Sequence, residues 1–337
     1  MRASKWIAIT AGVLVVIVSG GALAAGNYVY TSGTVVPCAI NEDDLANSPE
    51  AFYTPASGNG PFPGSGWDKW VDYDLSAWWL TDNNYDAVEI PVSEEVTLSA
   101  WWIEPEVSNG KTVIVTHGFS TSRRDFNTLL PSAMLVKNGF QVLLVDSRDS
   151  GESTCTDGRH SAGQEESTDF AAVADWLIDT KGVKPESLGM YGVSGGAVAT
   201  SLLPVKTENV SAFAMEGTIF DFTAAATKEV EYQGFPGFLW PLAQMSAQLF
   251  HGVNLTETSV MQGITAAGDR PMLILHGDID QRLDYQSSVD FYKYAKEQGS
   301  DVTLETFKGS DHTEGMLSET QRYADLLSGF FDRALTK

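Results

Sequence analysis

"LGMYGVSGGAVAT", residues 188–200, is the stretch on which the fold turns. Apolar residues run into a serine hemmed by glycines, and small, helix-compatible residues follow. A strand that bends directly into a helix around Ser194 leaves no room for bulk beside it, and Gly192, Gly195 and Gly196 supply that room. In such a turn the Ser194 hydroxyl stands outward on strained dihedrals. The same letters also spell an ordinary strand-to-helix connection with an idle serine. The surrounding chain decides between the two.

From residue 85 onward, short β-rich runs alternate with longer helical patterns. "AVEIPV" (87–92) and "VTLSAWWIEP" (96–105) read as an antiparallel pair at a sheet edge. "KTVIVTHG", "FQVLLV", "SLGMYGV", "VSAFAMEG", "RPMLILHGD" and "DVTLETFKG" read as strands. "SAMLVKNG", "STDFAAVADWLIDTKG", "AVATSLLP" and "QRYADLLSGFFDRAL" read as helices, two of them closing on glycine. Strands alternating with helices in this way mean a mostly parallel sheet covered on both faces. The organisation expected is an N-terminal segment over 1–30, a loop-rich aromatic lead-in over 31–85 and an α/β domain over 86–337. About fifty residues separate "AMEG" from "RPMLILHGD", too many for one crossover. They include "FPGFLWPLAQMSAQLFHGVN", which predicts a helical lid over about 218–268.

The 337 residues carry a formal charge of −23, from 44 acidic and 21 basic side chains. That excess disfavours nucleic acid and anionic lipid surfaces as partners. Near the N-terminus, "WIAITAGVLVVIVSGGALAA" (6–25) follows Arg2 and Lys5 and precedes Glu42, Asp43 and Asp44. Its length is that of a membrane-crossing helix, and the flanking charges place the N-terminus inside and the remainder outside. The expectation is a single N-terminal transmembrane anchor with an extracytoplasmic body. A cleaved signal peptide is the rival, because Ala22-Leu23-Ala24 resembles a processing site. Cys38 and Cys155 form either a disulfide suited to an exported protein or two unrelated thiols, and their spacing fits no metal site.

A serine needs a base before it becomes a nucleophile. Of the five histidines, His312 in "ETFKGSDHTEGM" follows the final strand, where the base belongs in this architecture. "LILHGDIDQR" offers Asp278 and Asp280 as the acid that would hold the imidazole, with Asp284 and Asp311 in reserve. Four motifs stand in order ahead of His312: "THGFS" (116–120), "DSRDSGES" (146–153), "GVSGG" (192–196) and "HGDID" (276–280).

As an ordered set these resemble the α/β-hydrolase superfamily over roughly three-quarters of the chain. The likeness is greatest to exported or membrane-anchored members with serine aminopeptidase-like and acyl-esterase-like domains. The resemblance implies an α/β-hydrolase fold, Ser194 as nucleophile, His312 as base and Asp280 as orienting acid. It implies an oxyanion hole from the backbone N–H groups of Phe119 and Gly195, and no metal or organic cofactor. "DSRDSGES" is expected to shape a supporting loop, with Arg148 structural. Gly195 stands where many relatives carry a larger residue, which predicts an open pocket wall beside Ser194. The substrate expected is a small-molecule ester or short peptide, with ester hydrolysis first, a peptidase or aminopeptidase second, and a silent surface-binding protein as the non-enzymatic alternative.

Overall fold

The computed structural model describes residues 19–55, 67–80 and 85–336. The described chain divides into two compact units. One holds the residues as far as Val35 together with Asp221–Glu257, and the other holds Val36–Phe220 and the chain from Thr258 onward.

The larger unit is built on a sheet of eight strands: β1 (Tyr85–Pro91), β2 (Thr97–Ile103), β3 (Thr112–Thr116), β4 (Gln141–Val145), β5 (Leu188–Val193), β6 (Ala212–Glu216), β7 (Met272–Gly277) and β8 (Val302–Phe307). Their order is β1-β2-β4-β3-β5-β6-β7-β8. β1 and β2 pair antiparallel, β2 meets β4 antiparallel, and every later pairing is parallel. Every residue of β3, β5, β6 and β7 is buried, as continuous apolar runs require when helices cover both faces. This is the α/β-hydrolase fold. Because β3, β5, β6, β7 and β8 all run the same way, the loops that leave their C-terminal ends lie along one edge, where open α/β sheets hold their ligands.

The helix read as "SAMLVKNG" is longer than expected. α2 spans Phe126–Lys137 and contains Pro131, which in sequence reads as a stop. Asp125 starts it, its carboxylate accepting the Asn127 N–H at 2.9 Å. α3 (Gln164–Lys181), α4 (Gly195–Leu202) and α10 (Thr320–Ala334) fall on the expected runs, and α7 (Val260–Ala267) and the short α9 (Gly315–Ser318) lie between the last two. α8 (Tyr285–Glu297) was not read from the sequence: its buried face is Ser288, Phe291 and Ala295, of which only Phe291 is strongly apolar.

The aromatic lead-in is part of this unit's core where it is described. Trp67 meets Phe126 edge-on at 5.5 Å, and the Trp79 indole N–H donates to the Phe52 carbonyl at 2.9 Å. A disulfide joins Cys38 to Cys155 across 117 positions, with Cα atoms 5.5 Å apart. Closing a loop of that length contributes about 4–5 kcal/mol by loop-closure entropy.

The smaller unit corrects the membrane expectation. No helix among the described residues is long and apolar enough to cross a membrane. Residues 1–18, which hold most of the apolar stretch, lie outside the described residues. The remainder, helix α1 over 19–33, packs within its unit against the segment after β6. There α5 (Phe222–Tyr232) and α6 (Trp240–Ser246) are followed by a turn of π-helix, Ala247–His251. The Ser246 hydroxyl donates to the Leu23 carbonyl at 3.1 Å, and His251 Nε2 lies 2.9 Å from the Asn27 side-chain oxygen. Tyr28 meets Phe235 edge-on, and Gly26 lies so close to the Leu242 backbone that no Cβ fits. A helix with polar bonds along its length and protein against it is not a lipid-facing span, so the anchor and the extracytoplasmic placement drawn from it are withdrawn.

Candidate active site

β5 carries buried residues up to Val193, and α4 begins at Gly195. Ser194 alone makes the turn, at φ 52° and ψ −114°, outside the regions an L-residue prefers. Such a conformation costs about 1–3 kcal/mol and persists only where the surroundings hold it. Here the Ser194 N–H donates to the Glu216 carbonyl at 2.8 Å, and the Ser194 carbonyl accepts from the Val198 N–H at 3.1 Å. Strand and helix cross so closely that a Cβ on Gly192 would strike the Gly196 carbonyl and the Thr200 hydroxyl.

The sheet edge brings three of the expected residues together. Ser194 Oγ lies 3.0 Å from His312 Nε2, and His312 Nδ1 lies 2.7 Å from Asp280 Oδ2. A carboxylate can only accept, so Nδ1 carries the proton and Nε2 turns its lone pair toward the serine. Asp280 is fixed on all sides. Its Oδ1 accepts the N–H groups of Arg282 and Leu283, each at 2.7 Å, and its Oδ2 also faces His276 Nε2 at 3.0 Å. The Ser288 hydroxyl in turn sits 2.6 Å from His276 Nδ1. Burial pushes the Asp280 carboxyl upward, but His312 and His276 beside it prevail and hold it well below the usual carboxylate range. It is an ionised carboxylate at neutral pH.

The other candidate acids point elsewhere. Asp278 accepts from the Gly309 N–H at 2.6 Å, and Asp284 caps α8 through Gln286 N–H at 3.0 Å. Asp311 ties two loops together: it accepts the Gln281 N–H at 2.8 Å, the Gln281 amide at 2.7 Å and the His312 N–H at 2.7 Å. Glu314 accepts the Asp311 N–H and the Trp70 indole N–H, both at 2.6 Å, and pairs with Lys69. Glu314 and His276 read in sequence as a loop acid and a core histidine, and only their partners single them out. "DHTE", with acids flanking the histidine, is the signal that could have found the brace.

Glu216, at the end of β6, was also missed. Its side chain is fully buried. One carboxyl oxygen accepts from the Tyr323 hydroxyl at 2.9 Å, and Tyr323 and Tyr191 share a hydrogen bond at 2.6 Å. Burial raises the Glu216 carboxyl well above its ordinary range. The Tyr323 hydroxyl opposes the shift, and the charge of Asp280 adds to it. Beneath the serine turn, burial therefore favours the protonated form of Glu216.

The "THGFS" turn follows β3. The Ser147 N–H donates to His117 Nε2 at 2.9 Å, so His117 keeps its proton on Nδ1, 2.7 Å from the Gly118 carbonyl. Burial lowers its pKa, consistent with a neutral ring. The open wall expected beside Ser194 is not there. A Cβ built on Gly195 would come within 2.5–2.7 Å of three atoms of the Phe119 ring, so that ring fills the space a side chain would take. Its own partner is the His160 imidazole, stacked at 3.7 Å between centroids and 7° between planes.

In "DSRDSGES", Asp146 accepts from Arg123 through its backbone N–H and its guanidinium, both at 2.6 Å, and from the Glu152 N–H at 2.9 Å. Arg148 forms a two-pronged pair with Asp169, at 2.6 and 2.7 Å, which leaves it occupied within the scaffold. Among the described residues the one set of side chains spaced as metal ligands is Cys38, Asp149 and Cys155, and both sulfurs are committed to the disulfide.

Comparison with known proteins agrees with this architecture. The human Protein ABHD12B is 27% identical over 202 residues, 58% of this chain and 53% of that protein. The chain spans about half or less of the length of the curated relatives it matches. Among solved structures, the Pyrococcus furiosus esterase Pf2001 superposes with a TM-score of 0.61 at 22% identity, over 75% of this chain and 93% of that one. The Pyrococcus horikoshii acylaminoacyl peptidase gives 0.57 at 19% identity, over 75% of this chain and 42% of that one. Likeness at these identities speaks for the fold alone. Residues 127–337 match the prolyl oligopeptidase family (Peptidase_S9), and the chain belongs to that family, on the α/β-hydrolase fold.

Proposed function

We propose that this chain is a serine hydrolase that cleaves carboxylic esters through an acyl-enzyme on Ser194. One observation carries the reading: the unbroken relay from Ser194 Oγ to His312 Nε2 at 3.0 Å and from His312 Nδ1 to Asp280 Oδ2 at 2.7 Å. As Oγ attacks the ester carbonyl, its proton passes to His312 Nε2, and ionised Asp280 stabilises the imidazolium. The carbonyl oxygen becomes an oxyanion facing the backbone N–H groups of Gly195 and Phe119. Gly195 opens α4, so its N–H has no acceptor within the helix. Each such donor is worth about 3–4 kcal/mol to the transition state. Collapse expels the alkoxide, which takes the proton from His312. Water, activated by the same imidazole, then releases the acid and frees Ser194. Each bond change is carried by Ser194, His312, Asp280 and a water molecule from solvent.

Two features favour an ester over a peptide. Phe119, only half-buried, sets an aromatic ring beside the nucleophile, against Gly195. The acids braced behind His312, Asp311 and Glu314, already accept hydrogen bonds on both oxygens and are not directed at a free α-amino group. Membership of the prolyl oligopeptidase family supports a peptidase as the second reading. The two are separated by assaying p-nitrophenyl esters of increasing acyl length beside aminoacyl p-nitroanilides. Higher kcat/KM on the esters is the expected result, and a preference for the anilides would move the assignment to a peptidase. A folded protein that turns over neither would leave a binding protein on a hydrolase scaffold.

A further inference from the structure

We propose that His160 is a positioning residue for the oxyanion site: its imidazole, stacked on Phe119, fixes the direction of the Phe119 backbone N–H. The proposal rests on the serine hydrolase reading above.

The Phe119 ring is held on both faces. His160 covers one face, nearly parallel at 7° and 3.7 Å. Gly195 lies against the other. A Cβ on Gly195 would fall 2.5–2.7 Å from three ring atoms and nearer to these than to any atom of His160, which places it on the side away from the imidazole. Gly195 carries the second expected oxyanion donor, so the sandwich ties the two donors to each other through one ring. The peptide that carries the Phe119 N–H is held at its other end, where the Gly118 carbonyl accepts from His117 Nδ1 at 2.7 Å and from the Thr121 hydroxyl at 3.0 Å. Gly118 precedes it with the freedom of glycine, and Ser120 follows at φ 62°. The seat of the ring is therefore a second hold on that peptide, acting at the Phe119 end where the flanking residues are permissive.

His160 can serve as the fixed wall because its loop is fastened at several points. Cys155, five residues earlier, is bonded to Cys38. Asp149 accepts the N–H groups of Asp157 and Gly158, both at 3.1 Å, and bonds Thr156 as well. The Gly158 carbonyl accepts the Val36 N–H at 2.9 Å. On the far side the Ser161 N–H donates to Glu166 at 2.9 Å. The rotation of the imidazole is set by the Ala162 N–H, which donates to its Nδ1 at 3.2 Å. The relay runs through Ser194, His312 and Asp280, whereas the stacking contact of His160 is with Phe119, so its effect on the reaction is tested through Phe119.

The test compares wild type, His160→Ala and His160→Phe on a p-nitrophenyl ester, and measures inhibition by an alkyl trifluoromethyl ketone, whose adduct oxygen would occupy the oxyanion site. Misplacing a donor by an ångström costs on the order of 10²-fold, so His160→Ala is expected to lower kcat by about 10- to 100-fold. KM is expected to change little, and the ketone to weaken in parallel with kcat/KM. His160→Phe keeps a flat ring against Phe119 and is expected to restore most of both. A His160→Ala variant whose kcat and ketone affinity stay within about twofold of wild type overturns the proposal. Equal losses in His160→Ala and His160→Phe also overturn it, because stacking would then not be the cause. Failure of the serine hydrolase reading looks different: wild type itself shows neither turnover nor ketone binding, and the positioning role falls with it.

Discussion

Asp280→Asn is expected to lower kcat on an ester by about 10⁴-fold while leaving the protein folded. The cause is a proton in the wrong place. Oδ1 of Asp280 accepts two backbone N–H groups, from Arg282 and Leu283, so the amide oxygen of asparagine must take that side. Its NH₂ then faces His312 Nδ1, where the carboxylate oxygen now lies at 2.7 Å. Two donors cannot face each other, and His312 shifts its proton to Nε2. In that tautomer it cannot accept the proton of Ser194. His276 meets the same NH₂ through Nε2, but it has an alternative, since the Ser288 hydroxyl can accept as well as donate. The loss should therefore appear in kcat at saturating ester, with the folded state intact by circular dichroism. An Asp280→Asn variant within about tenfold of wild type would mean that the tautomer is not what Asp280 controls.

Glu216→Gln is expected to make the protein more stable at alkaline pH and to flatten its pH dependence. Burial raises the Glu216 carboxyl in the native state. In the unfolded chain it titrates near the ordinary glutamate value, about 4.3. A raised native value means that the stabilisation is complete below the unfolded value and is lost as pH rises toward the folded one. Across that window wild type loses up to about 1.4 kcal/mol per pH unit from this single proton. Glutamine has the same shape, keeps an acceptor for the Tyr323 hydroxyl and has nothing to ionise. Asp280 does not confuse the comparison. Its depressed native value means that its stabilisation is present above the unfolded aspartate value, about 3.9, and is lost only as pH falls further. Denaturant unfolding of both proteins from about pH 5 to pH 9 reads the difference directly. Parallel curves would show that Glu216 is ionised in the native protein.

The sheet was legible because its parallel strands are buried on both faces and read as unbroken apolar runs, and because the serine turn needs glycine on both sides. Ser194, His312 and Asp280 were placed by chain order, and the structure brings those three within hydrogen-bond reach. Legibility stopped where meaning depends on a partner distant in sequence. Glu314 braces the His312 loop against Trp70, 244 positions away, and no local pattern announces it. Gly195 read as an empty wall because a missing side chain says nothing about what fills its space, and Phe119 comes from another strand's loop. α2 ran through Pro131, where local propensity argues for a stop and tertiary packing prevails. The membrane expectation drawn from 6–25 fails, for a related reason, on the part of that stretch that is described. Hydropathy counts side chains one at a time, whereas residues 19–33 meet protein through the Leu23 carbonyl, Asn27 and Tyr28.

The most direct test of Ser194 as the nucleophile is to treat folded wild type and Ser194→Ala with a fluorophosphonate and locate the adduct by peptide mass spectrometry. One adduct is expected, on the peptide containing Ser194, and none in Ser194→Ala. A folded wild type that takes no label, or takes it on another residue, would contradict that assignment.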